Sequence, residues 1–109
     1  MLNKQIKKDI KAHALEECPN ECCGLLVEKE NSIKAFRCEN ISTEKEKHFR
    51  ISPFDYVKAA NEGRIKASYH SHCNDLNTFS EFDKQNSQSH KIEYILYCAG
   101  NDNFLSYKP

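Results

Sequence analysis

The first amphipathic pattern along the chain lies near its N-terminus. Apolar residues recur at every fourth position, at Ile6, Ile10 and Ala14, which is the spacing of the buried face of an α-helix. Asn3 directly precedes this pattern and has the side chain of a good helix N-cap. A Cys-Pro-Asn turn comes next and does not continue a helix. The pattern therefore predicts a helix over residues 4–17.

Shorter apolar runs further along the chain are typical of β-strands. Residues 22–28 are mostly apolar, as in a buried strand, and residues 33–38 alternate like its hairpin partner. Polar segments and a Ser-Pro helix start divide the rest of the chain. We predict a loop at 39–47, a strand at 48–51, a helix at 53–62, a strand at 65–69, a loop at 73–79, a helix from 80 to about 90, and a hairpin of strands 92–99 and 104–107.

The order of these elements predicts the fold class. Helices and strands mix without strict β-α-β alternation, which indicates an α+β fold. The 109 residues fit one domain, residues 1–109, and 39% of them are hydrophobic, which is enough for a modest core. The sequence shows no internal repeat, so we expect a single layered unit.

The charge balance narrows the classes of partner. Sixteen basic residues balance sixteen acidic ones, whereas a protein that binds nucleic acid through its phosphates normally has a basic excess. No apolar stretch approaches the roughly 20 residues of a membrane-spanning helix, and the charged N-terminus lacks the apolar region of a signal peptide. We therefore expect no nucleic-acid partner, no membrane span and a chain that is cytoplasmic as synthesised.

Six cysteines are many for a chain of this length. In a small secreted domain they would indicate three disulfides, and a structural zinc site would need a second pair at the right spacing, which is missing. Because the chain can form a core and shows no signal peptide, we favour free thiols. The cysteines are Cys18, Cys22, Cys23, Cys38, Cys73 and Cys98.

The most informative segment chemically is His-Ser-His, followed after seven residues by Ser-Glu-Phe-Asp. Two histidines at positions i and i+2 of a strand project from the same face, so His70 and His72 can reach one metal ion. Asp83 can supply a third ligand, and two imidazoles plus one carboxylate form the donor set of a catalytic zinc. Hydrolysis also requires a proton acceptor and an oxyanion donor, for which Glu21 and Ser80 are the candidates.

A simpler interpretation covers part of this pattern. Ser80 and Asp83 have the spacing of a helix capping pair, and isolated histidines occur on many strands. Capping accounts for Ser80 and Asp83 but leaves His70 and His72 unexplained. The joint spacing of the four residues therefore favours a metal site.

These residues together resemble the JAMM motif of the MPN (JAB) metallopeptidase domains. In that motif, His-x-His-x7-Ser-x2-Asp follows a glutamate placed just before a Gly-Leu-Leu strand. Residues 19–26 and 49–53 also match, so the resemblance covers nearly the whole chain. It implies a mixed β-sheet flanked by helices, with a zinc site at the end of a central strand, and zinc-dependent hydrolysis of an amide or isopeptide bond. It further implies one Zn²⁺ per chain bound by His70, His72 and Asp83, with Glu21 as general acid/base and Ser80 stabilising the oxyanion.

The chain departs from the family pattern after the second histidine. Many members have proline there, whereas this chain has Cys73. We interpret Cys73 as an ordinary loop residue, although a thiol there could also contact the metal or be oxidised. Three further histidines, His13, His48 and His90, match no motif position, and we expect them at the surface. The donor set also fits ferrous iron in oxygenases, but the glutamate and serine in family register favour zinc.

The small size of the chain bears on its substrate. The domain has little room for the insertions with which eukaryotic deubiquitinating relatives bind ubiquitin. It is similar to compact prokaryotic and phage versions, in particular the N-terminal domain of phage minor tail proteins of the lambda tail-assembly K type. This resemblance implies a peptidase of a phage tail tip, with tail tip proteins as partners and the virion as its location. A non-catalytic structural module, or an enzyme that trims a ubiquitin-like or sulfur-carrier protein, stays open as an alternative. Whether the chain stands alone or belongs to a longer protein also stays open.

Overall fold

Three α-helices and one five-stranded β-sheet form the structure, a computed structural model that describes residues 1–109. The sheet order is β2-β1-β3-β4-β5, and only the β3–β4 pair is parallel. The expected α+β class and mixed sheet are therefore confirmed. The helices are α1 (Lys4–Glu17), α2 (Pro53–Glu62) and α3 (Glu81–His90), and the strands are β1 (Cys23–Lys29), β2 (Ser32–Cys38), β3 (Arg64–His72), β4 (Glu93–Cys98) and β5 (Asn103–Tyr107).

Helix α1 covers one face of the sheet. The side chain of Asn3 accepts a hydrogen bond from the backbone N–H of Ile6 at 2.9 Å and so caps the first turn, as the sequence predicts. The apolar face of the helix is buried on alternate residues of the sheet, which explains the four-residue spacing in its sequence. This core contains Ile6, Ile10, Ala14, Cys22, Leu26, Ala67, Tyr69, Ile95 and Tyr97.

The opposite face of the sheet carries the second core and the two remaining helices. Helix α2 begins with proline in its first turn and buries Ala59 against β1. Helix α3 contacts mainly β4, and the end of β3 is accessible in a cleft between the start of α3 and the loop at residues 46–49. The buried residues of this core are Cys23, Leu25, Val27, Cys38 and Ala59.

The prediction of a third strand at residues 48–51 is wrong. The segment is irregular and forms only an isolated bridge between Ile51 and Asn40. The Asn40 side chain takes over the hydrogen bonds that a strand partner would make: its Oδ1 accepts from the backbone N–H groups of Ser42 and Arg50, and its Nδ2 donates to backbone carbonyls. Side-chain bonds of this kind compete with a β-ladder.

The expectation of free thiols is wrong for two of the six cysteines. Cys18 and Cys73 form a disulfide, because the turn after α1 meets the C-terminal end of the central strand β3, with 5.8 Å between the two Cα atoms. Cys73 is therefore not an inconsequential loop residue. The remaining cysteines are free and buried, namely Cys22, Cys23, Cys38 and Cys98.

The surface position expected for His13 is also wrong. His13 is only 4% exposed, because it lies on the sheet-facing side of α1, where its Nδ1 is 2.8 Å from the hydroxyl of Tyr69. His48 and His90 are exposed, as expected.

Candidate metal centre

Strand β3 places His70 and His72 on the face of the sheet that is covered by α2 and α3. It lies between β1 and β4, and His70 is paired with Cys23 on one side and Leu96 on the other. His70 is fully buried, whereas His72, two residues on, is partly exposed at the strand end. The alternation of a β-strand places both rings on one face, with 5.5 Å between their centroids.

Two carboxylates approach these rings from different parts of the chain. Glu21, just before β1, places its Oε2 at 3.6 Å from His72 Nε2. Asp83, in the first turn of α3, places its Oδ2 at 3.4 Å from His70 Nε2. The structure therefore brings together all four residues for which the sequence predicts a ligand or proton-transfer role. Within this cluster, Glu21, His70 and His72 form a set whose ligand atoms all lie within 4.8 Å of one another. Asp83 joins the set through His70.

The surroundings of the ring nitrogens of His70 and His72 favour metal ligation. His72 Nδ1 lies 2.8 Å from the carbonyl oxygen of Leu76. Since a carbonyl only accepts, Nδ1 carries the proton, and the lone pair of Nε2 points to the cluster. Both ring nitrogens of His70 are buried without a hydrogen-bond partner. A buried polar atom without a partner is costly, and a metal ion at Nε2 would remove that cost for this nitrogen, so the donor set fits zinc.

Ser80 and Asp83 form the capping box of α3. Ser80 Oγ accepts from the backbone N–H of Asp83 at 3.0 Å, and Asp83 Oδ2 accepts from the backbone N–H of Ser80 at 3.2 Å. The capping interpretation is therefore confirmed, and it coexists with the cluster. The cap fixes the Asp83 carboxylate beside His70.

Burial and charge shift the pKa values of this cluster. Burial, reinforced by the negative charge of Asp83, raises the pKa of Glu21 to about 8. For Asp83, burial acts in the same direction, but the His70 ring and the hydrogen bonds from Ser80 outweigh it and hold the pKa below its usual value. Burial also lowers the pKa of His72, which keeps the ring neutral and able to bind a metal.

A cleft of about 260 Å³ leads from the surface to the cluster. Glu21, His72, Ser80 and Asp83 line it. Phe49 forms part of its wall and stacks on the ring of His70, with 4.4 Å between centroids. The ring of His70 thus lies behind the cleft wall among the aromatic rings of Phe49, Phe79 and Tyr94.

Sequence patterns do not reveal two of the supporting residues. Phe49 lies in the irregular segment before α2, and the Leu76 carbonyl lies in the polar loop after β3. Neither contact has a periodicity or spacing signal, because each depends on how a loop folds back over the strand. The match of residues 49–53 to the family pattern is the one hint that pointed to Phe49.

The fold and the cluster define a mixed-sheet protein with a histidine- and carboxylate-lined cleft, and comparisons with known proteins agree with this fold. The family model of prokaryotic homologs of the JAB domain matches residues 3–107. The chain therefore belongs to that family. A JAB1/MPN domain protein from Archaeoglobus fulgidus has a similar fold, with a TM-score of 0.64 at 18% identity over 94% of this chain and 83% of that one. A protein from Desulfitobacterium hafniense gives a TM-score of 0.70 at 21% identity over 95% of this chain and 78% of that one.

One curated relative is similar in sequence. The tail tip assembly protein K of Escherichia phage N15 is 43% identical over 75 residues, which is 69% of this chain. The match spans only 31% of the length of that relative. None of the three helices of this chain is long and apolar enough to cross a membrane.

Proposed function

We propose that this chain is a zinc metallopeptidase domain that hydrolyses a peptide or isopeptide bond in a phage tail tip. The observation that carries the proposal is the fully buried His70 ring, whose nitrogens make no hydrogen bond although Asp83 lies 3.4 Å from Nε2, beside His72 and Glu21. A structural core has no need of such an arrangement, whereas a metal ion satisfies it. Membership of the JAB family supports the same conclusion.

The side chains of the cluster have two proposed roles, metal ligation and proton transfer. His70, His72 and Asp83 are the proposed ligands of one zinc ion, which when bound supplies Lewis acidity and lowers the pKa of a water ligand to about 7. Glu21 lines the cleft beside His72 and is the proposed group that accepts the proton of the attacking water and passes it to the leaving nitrogen. Its pKa of about 8 in the metal-free protein leaves it close to the range that proton transfer in both directions requires.

Ser80 is the proposed oxyanion donor. Its Oγ already accepts the N–H of Asp83, and a hydroxyl has one O–H to donate in addition. Ser80 is exposed in the cleft, so this O–H is free to donate to the oxygen on which negative charge develops.

The similarity to the phage relative supports a place of action. That relative is named for tail tip assembly, so we propose tail tip proteins as partners and the virion as the final location. The same name supports a second candidate, in which the domain is a non-catalytic structural module of the tail and its cleft binds no substrate. The two candidates differ in whether the site binds zinc and hydrolyses an amide bond.

The first experiment is a metal analysis of the protein purified without a histidine tag or chelators. We expect about one zinc per chain by mass spectrometry, and none in the double variant His70→Ala/His72→Ala. A zinc-free wild type that takes up none on addition would favour the structural module.

The second experiment compares wild type with Glu21→Gln on peptidoglycan peptides and ubiquitin-like fusion proteins, with cleavage followed by mass spectrometry. Glu21→Gln removes proton transfer but none of the three proposed ligands, so we expect full zinc content and at least about a hundredfold loss of turnover. Wild-type turnover in Glu21→Gln would rule out Glu21 as the general base.

A further inference from the structure

Two short segments form a small closed ring beside the cleft. Residues 18–22 make one side of the ring and contain Glu21, and residues 71–73 make the other and contain His72. The side chains of Glu21 and His72 meet across it, with 3.6 Å between Oε2 and Nε2. The proposed general base and one proposed ligand therefore lie in the same ring.

The ring is closed at both ends. At one end the backbone N–H of Cys22 donates to Ser71 Oγ at 2.9 Å, and the N–H of Ser71 donates to the carbonyl of Cys22 at 3.2 Å. At the other end the Cys18–Cys73 disulfide is the closure. Without the disulfide, the two segments would be connected only by the hydrogen bonds at the Cys22–Ser71 end and by the contact between Glu21 and His72.

The disulfide also connects the ring to a rigid element. Cys18 is the C-cap of α1, and its N–H donates to the carbonyl of Ala14, a residue of the buried core. Cys73 directly follows His72, where β3 ends and an irregular loop begins. The C-terminal end of β3 pairs with β4 on one side, and the crosslink ties it in addition to a helix packed on the sheet.

We propose that the Cys18–Cys73 disulfide is a redox-controlled positioning element that holds Glu21 and His72 in register for metal binding and proton transfer. Oxidation joins the two sulfurs and passes two electrons and two protons to a disulfide partner such as oxidised glutathione, which becomes two thiols. Reduction by a dithiol reverses the step. This inference rests on the proposed metal site, which it deepens by adding its control.

Such redox control gives the metal site one state in a reducing compartment and another in an oxidising environment. In a reducing compartment thiols stay reduced, so the ring is open at one end and the site is loosely ordered. In an oxidising environment the disulfide forms and the site becomes ordered. A tail peptidase regulated in this way is held back during synthesis and becomes competent after release.

The first test needs no metal. Thiol alkylation in denaturant should find four free cysteines in the oxidised protein and six after reduction. Hydrogen exchange of the metal-free protein should then show the amides of residues 20–22 and 71–74 exchanging at least about tenfold faster after reduction. The amides of β4, Glu93–Cys98, report any global loss of stability. Six thiols before reduction, or no change in the ring beyond that seen in β4, would overturn the proposal.

The second test measures zinc affinity at 25 °C without a thiol reductant, which would itself bind zinc. Cys18→Ser and Cys73→Ser each open the ring, and we expect both to bind zinc about tenfold more weakly than the oxidised wild type. Cys38→Ala is the matched control, because it removes a buried free thiol and keeps the disulfide. We expect it to lower the melting temperature and to leave zinc affinity unchanged.

The two single variants also test whether the Cys73 thiol is itself a zinc ligand. If Cys18→Ser bound zinc more tightly than wild type and Cys73→Ser did not, the released Cys73 thiol would be a ligand and the proposal would be wrong. If opening the ring left zinc affinity unchanged, positioning would be refuted even with faster exchange. If the wild type bound no zinc at all, the proposed function would fail, whereas hydrogen exchange would still decide whether the disulfide orders the ring.

Discussion

His13 shows how the environment of one residue overrides its sequence class. Burial, followed by the positive charge of Arg37, lowers the pKa of His13 from 6.5 to about 4. The ring is therefore neutral at pH 7 and forms its hydrogen bond with Tyr69 inside the core. On an exposed helix face the same residue would titrate normally.

This shift predicts a pH dependence of stability. Because the folded state binds the proton of His13 more weakly than the unfolded state, stability is fully present above pH 6.5 and is lost as the pH falls from 6.5 to 4. The loss amounts to roughly 3 kcal/mol. Urea unfolding of wild type and His13→Gln between pH 4 and 7.5 should show this loss in wild type only. Other groups titrate in both proteins and cancel in the comparison, so parallel curves would refute the assignment.

Helix α3 combines two roles in its first turn. Its capping box satisfies backbone N–H groups that a helix start leaves unpaired, and the same box holds Asp83 beside His70. Sequence spacing alone made capping and metal binding look like alternatives. The structure shows that one geometry serves the cap and also brings the carboxylate to the cluster.

Substitutions of Ser80 and Asp83 distinguish helix capping from metal binding. Ser80→Ala and Asp83→Ala each remove half of the capping box, and we expect each to reduce the free energy of unfolding by about 1 kcal/mol. Only Asp83→Ala should also weaken zinc binding, by at least about tenfold. Chemical denaturation of the metal-free protein and zinc titration measure the two effects. An equal loss of zinc affinity in both variants would mean that the cap, and not the carboxylate, matters for the metal.

At the scale of the whole molecule, the disulfide links parts of the chain that are 55 residues apart. A crosslink over that distance lowers the entropy of the unfolded chain, which corresponds to roughly 4 kcal/mol of stability. In a chain of 109 residues this is a large share of the total free energy of unfolding. The disulfide thus acts on global stability through the unfolded state, and separately on the ring through the folded state.

The double variant Cys18→Ser/Cys73→Ser tests the global effect. We expect a fall of about 2–4 kcal/mol in the free energy of unfolding, measured by guanidinium denaturation. Reductant should lower the stability of wild type to a similar extent and leave the double variant unchanged, because its four other cysteines are free. A double variant as stable as the oxidised wild type would contradict a disulfide in solution.

Much of this protein was predictable from local sequence. The extent of α1, the proline start of α2 and the strand at β1 follow from patterns that local backbone geometry imposes. The spacing of His70 and His72 fixed their common face, and the Ser80–Asp83 spacing fixed the cap. Each of these features depends on residues within about four positions of one another.

Other features depend on contacts between distant parts of the chain and were decided only by the tertiary structure. The burial of His13 on Tyr69, the Cys18–Cys73 pairing and the approach of Glu21 to His72 join residues that are about 50 positions apart. The segment at residues 48–51 has a strand-like pattern, but Asn40 takes its hydrogen bonds. Local periodicity contains no information about such partners, because they are set by how the layers pack.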